Sequence, residues 1–333
     1  MKALIPVAGI GTRLRPHTHT VPKALLNVAG KPILGHIVDR LQEAGIKEFV
    51  FVVGHMGEVI REWGERTYRQ GLQWVEQKER LGLGHAVLEA RKAIRNDPIF
   101  IVLGDTLFDA DLKGVIARGG NNLGVMEVDD PSRFGVVVVE GEKVVRLVEK
   151  PSEPVSYLAI AGLYHINDTK LLFQSLDRLV KEDIRTRGEY QLTDALSLMI
   201  REGAVFRPFK LDGWYDCGLP ETVLETNRVL LDRRPPEPPP EVGVEAVVIP
   251  PVSFGRDVTV ERSIVGPHVT LEDGVVIRGS VVRNAILGEG ARVEGTVLDG
   301  SLVGAGAVVR GRPMALNVGD SAEIDFGECE SGR

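Results

Sequence analysis

"VAGIGTRLRPHTHTVPKALL", Val7 to Leu26, follows an apolar run beginning at Lys2 and decides the reading of the whole chain. Gly9 and Gly11 come first, then Thr12 and Arg13, and Pro22-Lys23 stands eleven residues beyond Gly11. Two glycines after a first strand permit positive φ and a close backbone approach to an anion. Arg13 adds a guanidinium and Lys23 an ammonium to neutralise phosphate oxygens. Two familiar phosphate loops do not fit. Leu14 stands where a dinucleotide fingerprint needs its third glycine. No G-x-x-x-x-G-K-[ST] occurs: Gly30-Lys31 is followed by Pro32, so the hydroxyl of a P-loop is missing.

Outward from this loop, strand and helix patterns alternate to about residue 230. Lys2–Val7, Phe49–Val53 and Ile99–Leu103 read as buried parallel strands. Helical spacing with charged outer faces runs over Ile33–Ala44, Met56–Arg69 and Gly84–Ile94, and returns at Lys170–Lys181, Leu192–Glu202 and Glu221–Asp232. The pattern is that of a layered α/β domain. Leu123–Val128, Val136–Val139 and Val144–Val148 interrupt the alternation and suggest an inserted β layer.

The sequence "RRPPEPPPE" then supports neither helix nor central strand and reads as a stiff linker. Beyond it lies an internal repeat. Phe254, Val260, Val265, Leu271, Ile277, Leu287, Val293, Val303 and Val309 step mostly by six, with one step of five and two of ten. Smaller or β-branched residues, among them Val258, Ile264, Val269 and Val275, stand four positions after these anchors. Such hexads fit a parallel β-helix of three to four coils. The expected organisation is a catalytic domain over 1–233, a linker over 234–241, the repeat domain over 242–325 and a tail over 326–333.

Composition narrows the function classes. The 333 residues carry a formal net charge of −7, which argues against a nucleic-acid partner. No run approaches the roughly 20 apolar residues of a membrane-spanning helix. The two cysteines, Cys217 and Cys329, lack metal-ligand spacing and point to a reducing compartment, so a cytoplasmic location is expected.

The stretch G-x-G-T-R-L-x-P-x-T-x-x-x-P-K-x-L, Gly9 to Leu25, resembles the signature of the sugar-nucleotide pyrophosphorylases, which are nucleotidyltransferases acting on sugar 1-phosphates. Further segments follow in that family's order: "QKERLGLGHA" from Gln77, "LGDT" from Leu103, "RFGVV" from Arg133, "VEKP" from Val148, "AIAGLY" from Ala159, "GEYQLTDAL" from Gly188 and "GWYDCG" from Gly213. The resemblance implies a Rossmann-like α/β nucleotidyltransferase domain with a mixed sheet, followed by a left-handed parallel β-helix of hexapeptide repeats.

It also implies roles. Gly9, Gly11 and Thr12 would hold the nucleotide through backbone groups, Arg13 would take the leaving pyrophosphate, and Lys23 would sit near the reacting phosphates. Asp105 and Asp216 would hold Mg²⁺, a hard cation content with one or two carboxylates plus phosphate oxygens. Gln77 would face a thymine or uracil with its donor and acceptor, and Gly82 would leave room for the ring. Lys150 would pair with the sugar phosphate and Glu149 with sugar hydroxyls, while Gly135, Ile160 and Gly162 would line the sugar pocket.

The implied substrates are dTTP and glucose 1-phosphate, with UTP, or GTP and mannose 1-phosphate, as alternatives. No nucleic acid or membrane partner is implied, and the repeat domain would serve homo-oligomerisation or cap the catalytic domain. Acyl transfer by the repeat is a further reading, with His268 and Asn284 as its residues. A non-catalytic regulatory subunit of the same fold would lose its charged site residues, whereas Arg13, Lys23, Asp105, Lys150 and Asp216 all stand. Taken singly, Asp105 could be a turn residue at a strand end, and Trp214-Tyr215 beside Asp216 ordinary packing.

Overall fold

The computed structural model describes residues 1–235, 243–312, 318 and 321. Residues 236–241 of the expected linker, Cys329 and the expected tail 326–333 lie outside the described residues.

Among the described residues a sheet of nine strands forms the first domain. Its first half runs Leu72–Glu76, Phe49–Val53, Lys2–Pro6, Ile99–Val102, all parallel. Phe49–Val53 and Ile99–Val102 are apolar throughout because both faces are covered, whereas Leu72–Glu76 at the edge carries Gln73 and Glu76. Ala3, Ile5, Phe49, Phe51, Phe100 and Val102 pack into one core with Ile33, Leu34 and Ile60. Leu4, Val50, Val52, Ile99 and Ile101 pack into the other with Ala86, Val87, Leu172 and Leu196. Helices Ile33–Glu43 and Gly57–Thr67 thus cover one face, and Leu83–Glu89, Thr169–Lys181 and Leu192–Arg201 the other.

The expected inserted β layer is corrected: its strands continue the same sheet. Strand Leu158–Ile166 runs antiparallel to Ile99–Val102 and carries Asn121–Glu127 on its far side. Phe206–Lys210, Lys143–Glu149 and Gly135–Glu140 complete the order. A bulge in Leu158–Ile166 between Ile160 and Tyr164 bends the sheet here, and Gly162, with φ 77°, sits within it. The helix expected over Gly84–Ile94 is two short ones, Leu83–Glu89 and Arg91–Ile94.

The repeat domain is a parallel β-helix with three four-stranded sheets. Val252 pairs with Val269, Val269 with Ala285 and Ala285 with Ser301, so the coils advance by 17, 16 and 16 residues. Each ten-residue gap in the hexad pattern hides two five-residue edges. Val282 fills the first gap and is fully buried, and Leu298 fills the second. Each corner takes a left-handed residue: Asp257 is followed by Gly274, Gly290 and Gly306, and His268 by Asn284 and Gly300. His268 and Asn284 therefore occupy corner positions, which suit residues tolerant of positive φ. His268 also places Nε2 2.7 Å from Asp232 Oδ1 on the last helix of the first domain. The β-helix docks there through Ser253, Thr270 and Ile286, all buried, and Ile286 joins the core beneath the first sheet.

Candidate active site

The strand order 72–76, 49–53, 2–6, 99–102 reverses direction between the last two, and ligands of such sheets bind beyond the strand ends at that point. A cleft of about 380 Å³ opens there. Val7, Ala8 and Gly9 line it from the end of the first strand, and Leu103, Gly104 and Asp105 from the end of the fourth. Lys23, Gln77, Arg80, Gly82 and Glu189 close its sides. A Cβ on Gly9 would meet nothing within 4 Å, so this glycine keeps the cleft mouth open. Gly11 has a different task. With φ 70° it turns the chain into the single turn Thr12–Leu14, and Thr18 Oγ1 donates to its carbonyl at 2.8 Å.

Beside the cleft, charge is concentrated. Lys23 Nζ makes an ion pair with Asp105 Oδ2, the lysine side chain only 12% exposed. Asp105 and Asp216 are brought together by a two-stranded sheet, Thr106–Asp109 against Gly213–Asp216, in which Thr106 pairs with Asp216. The Cys217 N–H donates to the Asp105 carbonyl at 3.0 Å and ties the two strand ends. Burial and the neighbouring Asp105 charge push the Asp216 carboxyl up, while Lys23, Arg13 and Arg133 pull it down. All five charged groups thus act on one small region. Trp214 packs edge-on against Phe134 at 4.8 Å, and Tyr215 accepts contacts from Arg233, so both aromatics are packing residues that present Asp216.

A second cluster lies on the antiparallel half of the sheet. Glu149 pairs with Gly135 across the strands, and a Cβ on Gly135 would sit 2.9 Å from Glu149 Oε2 and 3.3 Å from Ile160 Cδ1. Thr193 donates to Glu149 Oε2 at 2.8 Å, and Lys150 Nζ lies 3.7 Å from Oε1. Burial raises the Glu149 carboxyl, and the Thr193 and Lys150 contacts oppose it. Lys150 itself has φ 43°, a left-handed residue just before Pro151. Gly162 connects the two clusters, its carbonyl accepting from Leu103 N at 3.1 Å.

At the side wall of the cleft, Gln77 is buried and donates through Nε2 to the Gly82 carbonyl at 3.1 Å, with His85 Nδ1 at 3.2 Å from the same nitrogen. The chain packs against one side of Gly82, which also lines the cleft. A Cβ there would lie 2.7 Å from the Tyr190 carbonyl oxygen and 2.8 Å from Glu189 Cβ, at φ 113°.

Residues 2–233 match the family described as nucleotidyl transferase. The chain belongs to this family. This nucleotidyltransferase is 38% identical over 232 residues to the UTP–glucose-1-phosphate uridylyltransferase AglF of Haloferax volcanii, covering 66% of this chain and 93% of AglF. It is 34% identical over 280 residues to a glucose-1-phosphate thymidylyltransferase of Streptomyces antibioticus, covering 81% of this chain and 77% of that protein. A crystal structure of UDP-glucose pyrophosphorylase complexed with UDP-glucose superposes with a TM-score of 0.61 at 27% identity, over 70% of this chain and 99% of that one. Some relatives are longer: the chain spans 66% of the nucleotidyltransferase Agl11 of Haloferax volcanii and 55% of the bifunctional protein GlmU of Methanocaldococcus jannaschii. The resemblance to sugar-nucleotide pyrophosphorylases holds at the level of the family and of the fold.

The candidate site also brings in residues to which the sequence alone attaches no role. Arg80 and Glu189 line the cleft, Arg133 faces Asp216, and Thr193 holds Glu149. Each stands inside a segment that carries the family resemblance. Their contacts come from pairings across more than forty residues, which no local pattern displays. Among the described residues no group of three or more histidines, cysteines and carboxylates is arranged to hold a metal.

Proposed function

We propose that the protein transfers a nucleotidyl group from dTTP to glucose 1-phosphate, giving dTDP-glucose and pyrophosphate. The observation that carries this reading is the meeting of Lys23, Arg13 and Arg133 with two carboxylates beside a cleft at the sheet's reversal point. The sugar phosphate is already ionised near neutrality, since a monoester's second pKa is about 6. Its oxygen attacks the α-phosphorus, the bond to the β-phosphate oxygen breaks, and pyrophosphate leaves with the electron pair. No general base is required. The obstacle is the approach of two anions, which positioned cations overcome.

Lys23 and Arg13 are the groups suited to hold the triphosphate and neutralise the departing pyrophosphate. Gly9, Gly11 and Thr12 offer main-chain groups to the nucleotide. Lys150 and Glu149, with Gly135, Ile160 and Gly162 around them, suit the phosphate and hydroxyls of the sugar. Asp105 and Asp216 fit Mg²⁺: both are oxygen donors, and their mutual repulsion is a charge imbalance that a divalent cation relieves. When bound, the ion would screen the phosphate charges and polarise the α-phosphate.

The match to the thymidylyltransferase extends over 280 residues, into the repeat domain, and favours dTTP. The near-complete coverage of AglF favours UTP as the second reading. Pyrophosphate release from purified protein with Mg²⁺, glucose 1-phosphate and each of dTTP, UTP, GTP, CTP and ATP tests both. Highest kcat/KM with dTTP is expected, and a UTP optimum would replace it with the second reading. Absence of release with every nucleotide and sugar phosphate would instead point to a regulatory subunit.

A further inference from the structure

The loop between Gly11 and Leu26 carries both Arg13 and Lys23, yet its own structure is slight. It consists of three single turns, Thr12–Leu14, His17–His19 and Lys23–Leu25, none with a side-chain cap. Such turns have poor hydrogen-bond geometry and little intrinsic persistence. The support comes from the far end of the chain.

Asn227, fully buried on helix Pro220–Asp232, is the joint. Its Oδ1 accepts the Ala29 N–H at 2.8 Å and the Thr270 hydroxyl at 2.6 Å, and its Nδ2 donates to the His268 carbonyl at 3.2 Å. Ala29, at φ 48°, is the turn of the hairpin Asn27–Val28 with Lys31–Pro32, which follows directly on the Lys23–Leu25 turn. Arg234 adds a second clasp, donating to the Ala29 carbonyl and to Ser253 Oγ of the β-helix. A mostly apolar cavity of about 110 Å³ is lined by Val21, Leu25 and Leu26 of the loop and by Ile286, Leu302 and Val303 of the β-helix.

We infer that the β-helix is a buttress for the phosphate loop, and that Asn227 and Thr270 are positioning residues for Lys23. The inference rests on the proposed function only in taking Lys23 to act on the reacting phosphates. Asn227 bonds to the hairpin and to the β-helix at once, and both it and Thr270 are fully buried. Losing Asn227 strips the Ala29 N–H, the Thr270 hydroxyl and the His268 carbonyl of this partner, and losing the Thr270 hydroxyl leaves Asn227 Oδ1 held by Ala29 alone, so in either case the link between β-helix and hairpin is broken and the seam relaxes. A displacement of the loop by an ångström is enough to cost on the order of 100-fold in turnover.

The test uses the full-length protein. Thr270→Val removes the hydroxyl at nearly constant volume, Thr270→Ser keeps it, and Asn227→Ala removes the joint. Well below each variant's melting temperature, Asn227→Ala and Thr270→Val should lower kcat by about tenfold or more while the KM for sugar phosphate stays within about twofold, and Thr270→Ser should restore kcat. If Asn227→Ala does not fold, the Thr270 pair still decides. Amide hydrogen exchange over residues 12–28 reads the same coupling without turnover, and should quicken in Thr270→Val but not in Thr270→Ser. Wild-type kcat and wild-type exchange in Thr270→Val would overturn the inference, even with a lowered melting temperature. Should wild-type protein release no pyrophosphate with any nucleotide, the proposed function fails, and exchange alone still decides the buttress.

Discussion

Lys23→Met separates charge from scaffold at the centre of the proposed site. Methionine retains most of the aliphatic stem, which passes close to Gly11, while the ammonium is lost. The ion pair with Asp105 disappears, and of the three cations that act on Asp216 beside it, Arg13 and Arg133 remain. Removing one partner of a fully buried pair costs roughly 3–5 kcal/mol. Here the Asp105 side chain is 34% exposed, so water screens part of the loss and a cost of about 1–2 kcal/mol is expected. For a domain of this size that is a fall in Tm of about 2–8 °C. The kinetic effect is larger. Removing one preorganised charge-stabilising donor lowers kcat by about 10²–10³, or roughly 2.7–4 kcal/mol of transition-state stabilisation. Pyrophosphate release at saturating nucleotide, sugar phosphate and Mg²⁺, paired with a thermal melt, measures both numbers. A variant that melts within a few degrees of wild type and keeps kcat within about threefold would refute a phosphate role for Lys23.

Asp105→Asn should shift the Mg²⁺ saturation curve to higher concentration by about tenfold or more, and since it breaks the same ion pair while relieving the repulsion from Asp216, its Tm should fall no further than that of Lys23→Met. An unchanged metal titration would remove Asp105 from the ligand set. Gly9→Ala and Gly82→Ala should part company. The first adds a methyl in open space, so it leaves Tm unchanged but raises the nucleotide KM, whereas the second drives a Cβ against the Tyr190 carbonyl at positive φ and lowers Tm as well. Equal melts for the two would show that the 189–190 backbone yields easily. His165 is buried, and burial lowers its pKa to about 4, with Arg118 adding to the effect. The imidazole stays neutral in the folded state while the unfolded chain takes up a proton below about pH 6.5, so its contribution is present above that pH and is lost as the pH falls towards 4. The loss by pH 4 is roughly 3 kcal/mol. Urea unfolding at pH 7, 5 and 4 should show His165→Gln with a shallower decline than wild type, and parallel declines would reject the assignment.

The parts of the fold legible in the sequence are those whose environment leaves a local trace. Strands such as Phe49–Val53 are buried on both faces and read as unbroken apolar runs. Phe206–Lys210 left the opposite trace, since Pro208 and two basic residues argue against an inner strand. Its pairing explains the exception. It runs parallel along Asn121–Glu127 from Phe206 to Lys210, but meets Lys143–Glu149 only at Val144 and Phe206, so Pro208 sits where one side lacks a ladder. The β layer hides its link to the main sheet for a related reason: the joining strand, Leu158–Ile166, is interrupted in sequence by Gly162 within "AIAGLY", where its register shifts. At the site, Asp105 and Asp216 meet through a two-stranded pairing across more than a hundred residues, and only their positions in family-like segments linked them beforehand.

The repeat domain shows why residue type alone misleads. His268 and Asn284 invite a chemical reading, since histidine and asparagine are the side chains most often asked to act. Their 16-residue spacing, continued by Gly300, is the coil length of the β-helix, and all three have positive φ. Asparagine and histidine are enriched in that conformation among residues with a Cβ, so the geometry of the corner accounts for their presence before any catalysis is invoked. His268 then gains a second task by facing Asp232, one link in the seam that holds the phosphate loop. In this chain the most regular element, a stack of coils with its own buried core, stands against the least regular one, a loop of single turns bearing the cations. A loop of single turns has few hydrogen bonds of its own to fix it, so the rigidity that the proposed phosphate role asks of it has to be supplied from outside.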